Sequence, residues 1–105
     1  GANLMVIDSV GNVDIAGTLT QSATMTADTN DFAIQNSSAG LNAVLRIPEG
    51  NLLLKGTINQ NQASPLSPTL NAFVVQNKTG NVVAYINSTG FMFITGALTQ
   101  EVLFD

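Results

Sequence analysis

Gly90-Phe91-Met92-Phe93-Ile94-Thr95-Gly96-Ala97-Leu98-Thr99-Gln100 decides the fold. It sets out a turn glycine, a strand, a second glycine, and alternating residues that close on Gln. The same phrase stands at Gly50-Asn51-Leu52-Leu53-Leu54-Lys55-Gly56-Thr57-Ile58-Asn59-Gln60 and at Gly11-Asn12-Val13-Asp14-Ile15-Ala16-Gly17-Thr18-Leu19-Thr20-Gln21. Gly11 and Gly50 lie 39 residues apart, Gly50 and Gly90 lie 40 apart. Self-similarity at such a period governs architecture before local propensity does.

Upstream of each phrase stands more of the unit. Phe32-Ala33-Ile34-Gln35-Asn36 and Phe73-Val74-Val75-Gln76-Asn77 open two of them. A turn follows each, at Ser37-Ser38-Ala39-Gly40 and Lys78-Thr79-Gly80, and then a second apolar run, Leu41 to Ile47 and Val82 to Ile86. Asn3-Leu4-Met5-Val6-Ile7 fills that second place near the start. Val13, Ile15 and Leu19 alternate with polar or small residues, the period of two expected of a strand with one buried face. The turns Asp8 to Gly11, Pro48 to Gly50 and Asn87 to Gly90 use side chains that bond nearby amides and a glycine free to take φ > 0. Ser22 to Asn30 reads as an edge strand or loop. Asn61 to Asn71 holds Pro65 and Pro68, which give no amide to a ladder, and reads as a loop or edge. No stretch keeps a helical period.

The 105 residues form a single all-β domain, with units at about 1–30, 31–70 and 71–105. Three arrangements of these units of about 40 residues fit: a β-solenoid, an antiparallel meander or sandwich, or an intertwined fibre whose core other chains complete. The runs Leu52-Leu53-Leu54 and Phe91 to Ile94 predict strands covered on both faces, and a second subunit would supply the second cover.

The totals narrow the function. The chain is 45% hydrophobic and only 10% charged, well below the quarter or so usual in soluble domains. With no Cys and no His, it lacks a thiolate site, the usual general base and the usual zinc ligand. Serine and threonine therefore have no activating partner, and we expect no enzyme and no cofactor. Three basic residues, Arg46, Lys55 and Lys78, make no nucleic-acid footprint. No apolar run reaches the roughly 20 residues of a membrane span. Asp8, Asp14, Asp28, Asp31 and Glu49 are scattered and form no calcium loop; calcium between subunits would need Glu101 and Asp105 to meet Asp8.

The ends of the chain are unequal. The first unit lacks the Phe-x-Ile/Val-Gln-Asn strand, and the tail Glu101-Val102-Leu103-Phe104-Asp105 stands about where a new first strand is expected. Joining Asp105 of one copy to Gly1 of the next would restore one continuous unit. Val102, Leu103 and Phe104 are therefore the expected donor strand, and Leu4 and Val6 the expected acceptor, in a head-to-tail homopolymer. Glu101 to Phe104 also reads as part of a protease-tag site, which would make the tail an artefact.

Asp8-Ser9-Val10-Gly11-Asn12-Val13-Asp14-Ile15-Ala16-Gly17-Thr18-Leu19-Thr20 and the stretch Phe73 to Gly90 resemble repeats of viral tail-fibre proteins. They are similar also to β-repeat segments of archaeal and bacterial surface and filament proteins. That resemblance implies a shaft, filament, pilus-like or surface-layer role on a cell or virion surface, with no catalytic residues. A β-rich adhesin or a module binding glycans or surfaces is the alternative, although five Phe, one Tyr and no Trp suit sugar recognition poorly. Asn36, Asn77 and Asn87 begin Asn-x-Ser/Thr sequences at turns and are candidate N-glycosylation sites.

Overall fold

The computed structural model describes residues 3–36, 38 and 40–104. The join of Asp105 to Gly1 and the Ser37 and Ala39 positions of the second turn lie outside the described residues. Among the described residues every regular element is a strand: β1 (Met5–Ile7), β2 (Val13–Ile15), β3 (Leu19–Thr20), β4 (Phe32–Gln35), β5 (Leu41–Leu45), β6 (Leu52–Leu54), β7 (Ile58–Asn59), β8 (Phe73–Gln76), β9 (Val82–Ile86), β10 (Met92–Ile94) and β11 (Leu98–Thr99). Neither Ser22 to Asn30 nor Asn61 to Asn71 forms a strand.

The strands make three sheets, ordered β1-β2-β11, β3-β6-β5-β4 and β7-β10-β9-β8. In each sheet an antiparallel hairpin joins two of the long strands: β1 with β2, β5 with β6, and β9 with β10. The turns that close them carry Gly11, Gly50 and Gly90, all at positive φ. The last short strand of each phrase does not stay with its own hairpin. β3 pairs in parallel with β6, β7 with β10, and β11 returns to β2. Each unit thus donates a strand to the next, and the third donates to the first.

The crossing from one sheet to another requires glycine for space. A Cβ on Gly17 would stand 2.8 Å from the Asn51 backbone nitrogen, and one on Gly96 2.7 Å from that of Asn12. The glutamines that end the three phrases fasten the exchange. Gln21 Oε1 accepts the Ile58 amide at 2.9 Å, Gln60 Oε1 the Leu98 amide at 2.9 Å, and Gln100 Oε1 the Leu19 amide at 2.8 Å. The residue after each, Ser22, Asn61 or Glu101, adopts positive φ and turns the chain back. Its amide then bonds the carbonyl of Gly56, Gly96 or Gly17 respectively.

One core serves all three sheets. Ile15, Leu54 and Ile94 occupy the same place in β2, β6 and β10, and each is fully buried. Val13, Leu52 and Met92 form a second layer of the same kind, with Ala43 and Ala84 beside them. Burying each large side chain contributes roughly 1.5–3 kcal/mol. The apolar runs resolve into alternation: Leu53 and Phe93 are half-buried between buried neighbours. Phe93 finds its cover within the chain, stacked on Tyr85 with centroids 4.8 Å apart.

Candidate functional site

Two of the sheets have four strands and the third has three. β4 pairs antiparallel with β5, and β8 with β9, each ending in a register shift near its glutamine. β1 has β2 on one side and, among the described residues, no strand on the other. The ladder fixes which groups this leaves open. Ala16 donates to the Leu4 carbonyl and Asp8 to the Asn12 carbonyl, so Leu4, Val6 and Asp8 spend their main-chain groups on β2. Alternation turns the amides and carbonyls of Met5 and Ile7 outward. Ala84 and Ile86 hold the same places in β9, where Val75 and Phe73 stand opposite them.

Beside this edge is an apolar cavity of about 360 Å³. Met5 and Ile7 line it from β1, Phe32 and Ile34 from β4, and Phe73 and Val75 from β8. Phe32 and Phe73 meet edge to face, ring centroids 6.5 Å apart, yet remain 51% and 43% exposed. Two outer strands therefore converge on a space with room for a third aromatic. Among the described residues the lining is apolar apart from the Tyr85 hydroxyl, so the arrangement can bury apolar groups and pair a backbone.

The acids serve the turns. Asp8 Oδ1 accepts the Asn12 and Val10 amides, and the Asn12 bond above all holds the Asp8 carboxyl below its ordinary value. Asp31 is lowered chiefly by the Asp28 amide and further by Arg46, whose guanidinium pairs with it. Among the described residues no three potential metal ligands converge.

The expected assembly residues are dispersed. The Val102 amide donates to the Ile15 carbonyl at 3.0 Å, so Val102 is held within its own chain. Ala23 and Gln62 make the corresponding bonds to Leu54 and Ile94. Those two residues precede Phe32 and Phe73 by 9 and 11 positions. Among the described residues Val102, Leu103 and Phe104 form no strand, and of the three expected donor residues Val102 has its amide engaged within the chain. Leu103 is 93% exposed and Phe104 half-buried. Of the expected acceptor pair, Leu4 and Val6 both face β2, and the open groups belong to Met5 and Ile7. The signal for this site was the Phe-x-Ile/Val-Gln-Asn phrase, present twice and missing once.

Asn36, Asn77 and Asn87 each fold their turn, the side-chain oxygen accepting amides two and four residues on. Asn77 Nδ2, where a glycan would attach, donates to the Ser9 carbonyl at 3.1 Å. The chain matches no protein-family model, no curated protein and no solved structure.

Proposed function

We propose that the chain is a non-catalytic structural subunit of an extracellular or virion-surface fibre, in which a strand from one subunit completes the β1-β2-β11 sheet of the next. The observation that carries this reading is the outward edge of Met5 and Ile7, beside which no strand lies among the described residues, whereas β4 and β8 fill that place in the other two sheets. Low charge and a surface of Asn, Gln, Ser and Thr suit a durable extracellular material. Subunits of this kind associate with their own copies. A glycan, if present, sits most easily on Asn87 or Asn36, since Asn77 already uses its amide nitrogen. Sedimentation and negative-stain microscopy at neutral pH test the reading. Elongated assemblies that grow with concentration are expected, and monodisperse globules at every concentration would end it.

The apolar cavity favours a second reading, a surface-binding adhesin module. Such a module would stay monomeric and hold an apolar ligand between Phe32 and Phe73.

A further inference from the structure

β11 is hydrogen-bonded only to parts of the molecule outside its own unit. The Ala97 amide donates to Asn12 Oδ1 at 2.9 Å, and the Ala97 carbonyl accepts the Val13 amide at 3.0 Å. Leu98 and Thr99 pair with Val13 and Asp14. The Leu98 amide donates to Gln60, and Gln100 accepts the Leu19 amide. The Glu101 and Val102 amides donate to the Gly17 and Ile15 carbonyls. Among the described residues no hydrogen bond joins residues 97–104 to residues 71–95. What ties β11 to its unit is the crossing Thr95-Gly96-Ala97 that leads out of β10. We propose that two copies of this chain exchange residues 97–104 reciprocally, β11 of each completing the β1-β2 sheet of the other, with Thr95 and Gly96 as the hinge.

The occupant follows from the bonds. A second copy presents the same Asn12, Val13, Ile15, Gly17, Leu19 and Gln60, so β11 makes the same contacts whichever copy supplies them. Exchange of an identical element is for this reason a low-cost route to a dimer. The crossing tips the balance. It is three residues long, and a short connection forced to bend between sheets favours exchange over return. Gly96 passes so close to the receiving hairpin that a Cβ on it would stand 2.7 Å from the Asn12 backbone nitrogen. An exchanged hinge runs extended between two bodies and is released from that bend.

Any chain attached beyond Phe104 is carried along, so the exchange needs no free end. Leu98 packs against the common core, and pulling β11 away exposes it. The closed and exchanged forms therefore interconvert slowly, and their proportion is set by protein concentration during folding. The joint lies on the side of β2 away from β1. It stands apart from the fibre reading, which uses the opposite edge of the sheet.

The chain has no cysteine, so introduced ones report without interference. Asp14 and Thr99 stand opposite each other across the β2–β11 pairing. An Asp14→Cys chain and a Thr99→Cys chain are mixed, unfolded, refolded together at high concentration and oxidised. Size exclusion should show a dimer beside the monomer. Peptide mass spectrometry of that dimer should find the disulfide between positions 14 and 99 in excess over like-with-like pairs by about tenfold or more, because exchange holds only that pair together. A chain carrying both substitutions, refolded dilute, should close the same disulfide within itself, which checks that the pair is placed to react and that the fold survives. Gly96→Ala should raise the dimer fraction several-fold, since the added Cβ crowds only the closed crossing. Four Gly/Ser residues inserted after Thr95 should lower it. Disulfides in statistical proportion, or monomer alone at every concentration, overturn the proposal. So does a dimer of the doubly substituted chain whose disulfides all lie within single chains. The two readings separate here. Exchanged dimers that never elongate keep the exchange and count against the fibre, whereas filaments without a disulfide from position 14 to position 99 between copies keep the fibre and remove the exchange.

Discussion

The Gln100 side chain accepts the Leu19 amide at 2.8 Å across 81 residues of sequence. It completes a set of three, with Gln21 on Ile58 and Gln60 on Leu98, and each ties the end of one donated strand to the next donated strand in a different sheet. Gln100→Ala leaves that amide to water at an exposed position. We expect a loss of about 0.5–1.5 kcal/mol. Thermal melts should show Gln21→Ala and Gln60→Ala falling by similar amounts, because the geometry is the same three times.

Among the described residues Asn42 is the one buried polar side chain whose need is only half met. Its Nδ2 donates to the Asn87 carbonyl at 3.3 Å, while its buried Oδ1 has no partner. Val83 holds the same place in β9, one residue before the buried alanine. Asn42→Val removes an unsatisfied acceptor together with a long hydrogen bond, and the Asn87 carbonyl still accepts the Gly90 amide. We expect a gain of about 1 kcal/mol, read as a higher denaturation midpoint.

Two turn glycines separate backbone strain from crowding. Gly80 and Gly90 have nearly the same φ, +88° and +86°. A Cβ at Gly80 meets nothing within 4 Å, whereas one at Gly90 lies 2.5 Å from Lys55 Cβ and 2.9 Å from the Asn42 carbonyl oxygen. Gly80→Ala should cost about 1–2 kcal/mol, the left-handed penalty alone. Gly90→Ala should cost a further 1–3 kcal/mol or so from overpacking. Equal losses in paired melts would mean that the Gly90 turn relaxes freely.

Acid should weaken the fold through Asp31 and Asp8, whose carboxyls are held below the ordinary value of 3.8. A depressed folded-state pKa gives stability that is present above the unfolded value and lost as pH falls through the folded one. Melting temperature should therefore be insensitive to these two groups above about pH 5 and decline below the unfolded value. Asp31→Asn should flatten that decline, since the Asp28 amide and Arg46 would then face a group that does not titrate.

Leu103→Asp tests where the chain joins its neighbours. Leu103 is 93% exposed and lies outside every strand. Neither melting temperature nor any assembly seen by sedimentation should change. Loss of assembly in this variant alone would identify the tail as the joint.

Much of this fold was legible because period-two alternation and turn chemistry are local. The strand phrases around Val13, Leu52 and Met92 and the positive φ of Gly11, Gly50, Gly80 and Gly90 all follow from neighbouring residues. The exchange of last strands was not legible. β3, β7 and β11 are two residues long, too short for any period to reveal a partner. The three glutamines repeat visibly, but each bonds across more than 35 residues, which spacing cannot announce. The site was half legible. The missing Phe-x-Ile/Val-Gln-Asn strand could be counted, while the cavity exists only because β4 and β8 converge in space. The apolar composition of the tail reads as a strand, whereas the bond from Val102 to Ile15, which sets its register, joins residues too far apart in sequence for composition to reveal.

The return of β11 to β2 also dictates an order of events in folding. Leu98 pairs with Val13 and Thr99 with Asp14, so of the three sheets the one that contains β1 and β2 is finished after the others. During synthesis the second sheet, β3-β6-β5-β4, needs nothing beyond Leu54 and can form while the third unit is still being made. The first hairpin must wait with one side of β2 unpaired until Leu98 and Thr99 emerge. Such long-range closure raises the contact order and slows the search for the native state.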